Sequence, residues 1–255
     1  LPRERVTRRD IILLFFASLF GIQLNQMLFL WGLSLTSPID TSIIATIVPV
    51  LTMVLATLFL HEPITWLKAG GVFLGCAGAV LLILVSQHGT GHTSSVKGDV
   101  LCIISAVSYA TYLTAFRDVI VRYSPVTVMK WMFLFAAIVA VGIYYRPLIE
   151  VDYAAFTPRT WGGIAFVVVG ATFISYLMVP IAQRYLRPTV VSMCNYVQPL
   201  VAVLFTVAIG LGTFGPTKGF AALCVFVGVW LVTKSKSRAQ LEAEIAQLES
   251  DEKAL

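Results

Sequence analysis

The sequence predicts an all-α membrane protein, and three observations predict it. Hydrophobic residues make up 58% of the 255 and charged residues only 12%, about half the charged share usual in water-soluble chains. The apolar residues fall into runs of bilayer-spanning length. The runs are punctuated by turn chemistry and flanked by aromatic residues. With a mean hydropathy of +0.87, too few polar side chains remain to clothe a globule in water. A soluble enzyme, a nucleic-acid module and a disordered scaffold are thereby excluded.

A helix needs roughly 20 apolar residues to cross a bilayer. Eight stretches qualify: 11–33, 39–60, 66–86, 99–119, 126–145, 160–181, 188–210 and 216–234. Breaks between them carry Ser37-Pro38, Glu62-Pro63, Gly89 to Ser95, Ser124-Pro125, Arg187-Pro188 and Gly215-Pro216, all sequences that interrupt helices. Trp31, Trp66, Trp131, Trp161 and Trp230 lie at or near span ends, where indole prefers the headgroup region. Segment 1–10 carries four arginines and no apolar stretch, which argues against a signal peptide.

Orientation follows from the positive charges. With residues 1–10 in the cytoplasm, Arg3, Arg5, Arg8, Arg9, Lys68, Arg117, Arg122, Lys130, Arg184, Arg187, Lys234, Lys236 and Arg238 fall inside. Only Lys97, Arg146, Arg159 and Lys218 fall outside. The net charge of +5 therefore reads as loop charge at the inner face of a cell membrane, with a cytoplasmic C-terminus and no nucleic-acid partner. Residues 237–255 form a charged tail in which Leu241, Ile245, Leu248 and Leu255 follow heptad-compatible spacing. So short a helix is marginal alone, so a solvated tail is expected, with a homodimer as the alternative. Cys76, Cys102, Cys194 and Cys224 lie in apolar runs without metal or disulfide spacing. His88 and His92 sit in a Gly/Ser-rich loop, and no nucleotide or hydrolase motif occurs, so no cofactor or metal is expected.

Shifting the chain by 150 residues overlays 11–82 on 161–232 without a gap. Pro38 meets Pro188, Ser42 meets Ser192, Pro49 meets Pro199, Lys68 meets Lys218 and Gly78 meets Gly228. Five spans separate the matching segments, and an odd number reverses their direction through the membrane. This is an inverted-topology repeat, a plan used by many secondary transporters. The first two spans of the second repeat have no counterpart, so the expectation is a ten-helix, 5+5 fold of which eight helices are visible. Residues 1–86 then hold three helices of the first repeat, 87–98 an extracytoplasmic linker, 99–236 the second repeat and 237–255 the tail.

Lipid offers no hydrogen bonds, so mid-span polar groups must face protein or a wet cavity. Candidate solute-binding residues are Asn25, Gln26, Thr46, Tyr109, Tyr112, Ser175, Tyr176, Asn195 and Gln198. Ser42, Thr46 and Pro49 share one helical face, as do Ser105, Ser108, Tyr109 and Tyr112. Ser105, Ser108 and Thr172 read rather as bonds between packed helices. Pro49 and Pro199 each free a carbonyl one turn earlier and are expected to kink their helices. Gly71 and Gly75, with Gly70 and Gly78, permit close helix contact, expected within the chain. No acid or base sits in mid-span.

Residues 35–49 (LTSPIDTSIIATIVP), 51–65 (LTMVLATLFLHEPIT) and 68–82 (KAGGVFLGCAGAVLL) resemble the end of an EamA domain. Over about residues 10–235 the chain resembles the EamA type of the drug/metabolite transporter superfamily. The resemblance implies ten helices in two repeats and the transport of amino acids, nucleosides, sugars, amines or other metabolites, with efflux as the expected direction. The family's Leu-small-Glu pattern is met at Leu60-His61-Glu62, whereas Ile209-Gly210-Leu211-Gly212 lacks the glutamate.

The expected function is thus a membrane carrier for a small organic solute, such as an amino acid or relative, and not an enzyme. An intramembrane enzyme acting on lipid or peptide would need a mid-span His, Asp or Lys to activate its nucleophile, and there is none. A scaffold working through 237–255 is the third reading.

Overall fold

The computed structural model describes residues 4–36, 38–86, 95–208 and 215–236. The heptads of the tail, His88, His92 and the stretch 209–212 lie outside those residues. Among the described residues every element is helical. The long helices are α1 (Arg8–Leu35), α4 (Trp66–Ser86), α5 (Val96–Ala115), α7 (Pro125–Glu150), α8 (Pro158–Tyr185) and α11 (Pro216–Lys234). Between them run α2 (Pro38–Ala45), α3 (Val48–Leu60), α6 (Arg117–Arg122), α9 (Pro188–Met193) and α10 (Val197–Ala208). Among the described residues six stretches are long and apolar enough to cross a membrane: Arg8–Leu35, Asp40–Leu60, Trp66–Val85, Val96–Ala115, Pro125–Glu150 and Pro158–Tyr185. Gly219–Lys234 is a shorter apolar helix. The stretch expected over 188–210 is interrupted, with a 3-10 turn at Cys194–Tyr196 between α9 and α10.

Two helices expected to be continuous are therefore broken, and proline chemistry explains the first break. Pro49 has no N–H for the carbonyl one turn back. The chain responds with tight turns in which Thr46 N donates to Ile43 O at 3.0 Å and Ile47 N to Ile44 O at 2.9 Å. Pro49 then sits in the first turn of α3, where a missing N–H costs nothing. At the far end of α3, His61 closes the helix at φ 51°, and the N–H groups of both His61 and Glu62 reach back to Ala56 O, the latter at 3.2 Å. The expected span 99–119 ends early because Phe116 leaves helical geometry. The span expected at 126–145 instead runs through Pro147 to Glu150.

The 150-residue offset reappears in the element boundaries. Both α1 and α8 contain a π-helical segment, Leu19–Leu24 and Phe166–Ile174. Regular helix resumes at Asn25–Leu35 and at Ser175–Tyr185, the two stretches beginning and ending 150 residues apart.

Helices α4 and α11 make the most extensive pairing, and glycine permits it. A Cβ built on Gly71 would stand 2.7 Å from the Gly228 carbonyl oxygen, and one on Gly78 would stand 2.8 Å from that of Ala221. The contacts run in opposite senses along the two helices, residue 71 against 228 and residue 78 against 221, as antiparallel packing requires. Gly71 and Gly75 thus serve packing within the chain.

Two apolar cores flank the bundle. One joins Leu14 and Ala17 to Leu113, Ile120, Val128 and Met132; the other joins Val72 and Met193 to Tyr196 and Val225. Serines stitch the first: Ser18 Oγ donates to Met132 O at 2.7 Å, and Ser108 Oγ to Phe20 O at 2.8 Å. One end of the bundle is basic and heavily bonded. There Asp10 accepts from the Tyr123 hydroxyl at 2.6 Å and from Arg122 Nη1 at 3.0 and 3.1 Å. Arg184 donates to Tyr123 O, and Arg187 Nη2 reaches Val232 O and Ser235 O at the end of α11. Lys68 Nζ pairs with Glu62 Oε2 at 2.6 Å.

Candidate functional site

A cavity of about 250 Å³ opens between α1, α2, α3, α5, α8 and the α9–α10 break. Its polar lining is Asn25, Gln26, Thr41, Ser105, Tyr109, Ser175, Tyr176, Asn195 and Gln198, and its apolar lining includes Phe29, Ile44, Val48, Ala106 and Val179. Among the described residues, no lysine, arginine, histidine, aspartate or glutamate lines it. It lies away from the basic end. On α1 the lining begins only at Asn25, after the half that carries Leu14 and Ala17. On α5 it stops at Tyr109, one turn before Tyr112 and Leu113 enter the core.

Local structure sets the direction of each polar group. The Asn25 side chain accepts from Ser105 Oγ at 3.0 Å and donates to Gly21 O at 3.4 Å, inside the π segment. Ser105 Oγ also approaches Asn25 O at 2.7 Å, so this serine both joins α1 to α5 and faces the cavity. The Tyr176 hydroxyl donates to Gln26 Oε1 at 3.4 Å. Positions 26 and 176 are themselves 150 apart, so offset-related residues meet across the space. Tyr109 presents its ring to the cavity and stacks on Tyr112 behind it, centroids 6.0 Å apart.

Of the residues singled out from sequence, Asn25, Gln26, Tyr109, Ser175, Tyr176, Asn195 and Gln198 line this one space. Thr46 and Tyr112 do not. Thr46 sits at the α2–α3 break, donates to Ile43 O at 2.6 Å and lies 3.7 Å from Cys76 Sγ. Tyr112 is 1% exposed and lies over Gly21, where an added Cβ would come within 2.6 Å of its ring. Pro49 and Pro199 stand in the first turns of α3 and α10, outside the lining. The helix face used by α2 and α3 is Thr41, Ala45 and Val48, one residue round from the expected Ser42, Thr46 and Pro49. Thr41 could have been found from the same 4-3 spacing; Cys102, Phe29 and the aliphatic lining carry no signal that separates them from lipid-facing residues.

A family model described as the EamA-like transporter family matches residues 2–84 and 96–234. The chain belongs to the EamA-like transporter family. It is 24% identical over 226 residues to the uncharacterized transporter YyaM of Bacillus subtilis strain 168, covering 87% of this chain and 73% of that protein. Over 121 residues it is 26% identical to a probable terminal-alkyne amino-acid exporter of Streptantibioticus cattleyicolor, covering 48% of this chain and 39% of the exporter. A crystal structure of another protein aligns with TM-score 0.71 over 90% of this chain and 77% of its own, at 18% identity, a likeness of fold alone. As an EamA-like protein the chain is a multi-pass membrane transporter.

Proposed function

We propose that this EamA-like chain is a secondary carrier that moves a small organic solute by alternating access between two inverted repeats. The observation that carries the reading is the Tyr176–Gln26 contact across the cavity. Residues 150 positions apart touch there, the contact that a two-fold axis through the cavity would produce. Carriers built from inverted repeats bind at such a midplane interface.

Chemistry narrows the solute. The lining offers amides and phenols as donors and acceptors, with aliphatic side chains and Phe29 around them, and no fixed charge. It suits a polar or amphipathic metabolite without net charge, with a zwitterionic amino acid or its relative as the leading class. A cavity of about 250 Å³ is slightly below the range of about 300–1,000 Å³ typical of drug-sized ligands. The amino-acid exporter among the relatives agrees with that class and with efflux as the direction.

The full frame is a 5+5 bundle in a cell membrane, with the basic end and the C-terminus in the cytoplasm. Exposure along α8 supports this frame of two further helices. Leu14 and Ala17 are buried by α5 and α7, whereas their offset mates Ile164 and Val167 are 37% and 55% exposed. Helices related to α5 and α7 by the pseudo-dyad would cover that face of α8.

Purified full-length protein in liposomes loaded with a radiolabelled neutral amino acid tests the reading. Saturable counterflow of at least one neutral amino acid or amino-acid derivative is expected. A folded protein that exchanges no such solute overturns it.

A further inference from the structure

Polar side chains in the bundle fall into two groups. Ser18, Thr52, Ser105, Ser108 and Thr114 donate to backbone carbonyls, across helices or within their own, and so act as packing groups. A second group bonds little. Gln23 Nε2, the Tyr112 hydroxyl, both amide atoms of Gln183 and Thr189 Oγ1 are buried and have no hydrogen-bond partner among the described residues. Exposure at these four residues is 5%, 1%, 0% and 0%. A buried polar group left unmade is costly, and an apolar residue of equal size would pack more cheaply at each position.

Their placement is ordered. Each stands on an element that also lines the cavity or leads directly to its lining, and each stands nearer the basic end. Gln23 precedes Asn25 on α1, Tyr112 follows Tyr109 by one turn on α5, Gln183 lies beyond Val179 on α8, and Thr189 opens α9 below Asn195. Tyr112 stacks on Tyr109, so the series begins at the cavity floor. At the basic end, the bonds of Asp10 to Arg122 and Tyr123 close the bundle. Leu14, Leu113 and Met132 fill the space between.

We propose that Gln23, Tyr112, Gln183 and Thr189 line the inner half of the solute path, a second polar chamber that is closed in this conformation and wetted when the basic end opens. Polar atoms without a partner in the closed state gain water and solute as partners in the open one, Gln23 keeping its bond from Ser18 Oγ to Oε1, and that difference favours the switch. The inference rests on the carrier reading and adds to it the route on the cytoplasmic side.

The experiment is thiol accessibility in the full chain. Cys76, Cys102, Cys194 and Cys224 are replaced by alanine, and Gln183→Cys, Thr189→Cys and the core control Val128→Cys are introduced singly. A membrane-impermeant quaternary-ammonium methanethiosulfonate is applied from either face of oriented vesicles. Gln183→Cys and Thr189→Cys should react from the face bearing Arg122, at least tenfold faster when Asp10→Asn opens the latch, and the Val128→Cys control should stay inert. No reaction from that face in a folded protein, or equal reaction of the control, overturns the proposal. Tyr112→Phe gives a second reading that survives if Asp10→Asn misfolds: it should hold or raise the melting temperature while slowing exchange several-fold. Unchanged exchange would overturn the role given to Tyr112. Counterflow by the parent protein is measured in parallel, so failure of the carrier reading remains distinguishable.

Discussion

A Cβ on Gly228 would stand 2.6 Å from the carbonyl oxygen of Gly71, the mirror of what a Cβ on Gly71 would meet. Backbone presses on backbone here, so neither side can yield as a flexible side chain would. Gly71→Ala or Gly228→Ala should each destabilise by about 1–3 kcal/mol. Gly70→Ala should be silent, since nothing lies within 4 Å of its Cβ position. Thermal unfolding in detergent compares them, and equal melting of the Gly70 and Gly71 variants contradicts the crossing.

The Glu62–Lys68 pair is almost fully out of water, with side chains 10% and 1% exposed. Removing one partner strands a buried charge, which costs about 3–5 kcal/mol. Lys68→Met should therefore lower stability sharply, and Glu62→Gln in the same chain should recover much of the loss. A double-mutant cycle reads the coupling.

His61 holds a left-handed backbone at φ 51°, which costs a residue with a Cβ roughly 1–2 kcal/mol. His61→Gly should raise stability by about 1 kcal/mol, less some loss from added freedom in the unfolded chain. The test is a rise in melting temperature with exchange unchanged.

Cavity substitutions should separate binding from folding. Gln26→Leu and Tyr176→Phe remove the cross-cavity hydrogen bond and should raise the apparent KM roughly tenfold, the effect of about 1.4 kcal/mol. Thr46→Val, which touches α2 and α4 rather than the cavity, should leave KM alone. A KM that moves with Thr46 and not with Gln26 would invert the site.

Glu4 offers a pH test outside the membrane. The Thr127 hydroxyl, then the Ser124 N–H and hydroxyl, hold its carboxylate below the ordinary range, with Ser124 Oγ at 2.8 Å. A depressed carboxylate stabilises fully above its unfolded pKa of about 4.3 and loses that contribution as pH falls through the native value. The stability gap between wild type and Glu4→Gln should be present at neutral pH and close below that window.

Much of the site was legible because amides are expensive in hydrocarbon: Asn25, Gln26, Asn195 and Gln198 announce themselves. Tyr112 and Thr46 carried the same signal but face elsewhere. Thr46 is turned by the phase shift at the α2–α3 break, Tyr112 is covered by α1 at Gly21, and composition encodes neither. Pro49 betrayed the break itself. The apolar lining stayed hidden, since Val48 or Ala106 facing a cavity is spelled like one facing lipid. Asp10 in the first turn of α1 carries no signal of its own in the sequence, and only the tertiary approach of Tyr123 and Arg122 gives it a role.

The π segments at Leu19–Leu24 and Phe166–Ile174 each carry surplus winding directly ahead of the solute-facing limb. Taking one residue out of that winding would turn everything beyond it by about 100°. Asn25, Gln26 and their counterparts would then swing round together while the first segments of the two helices, Arg8–Ser18 and Pro158–Ala165, kept their seats. The azimuth of the recognition groups is thus set independently of the anchoring halves, like two hands geared to one spindle.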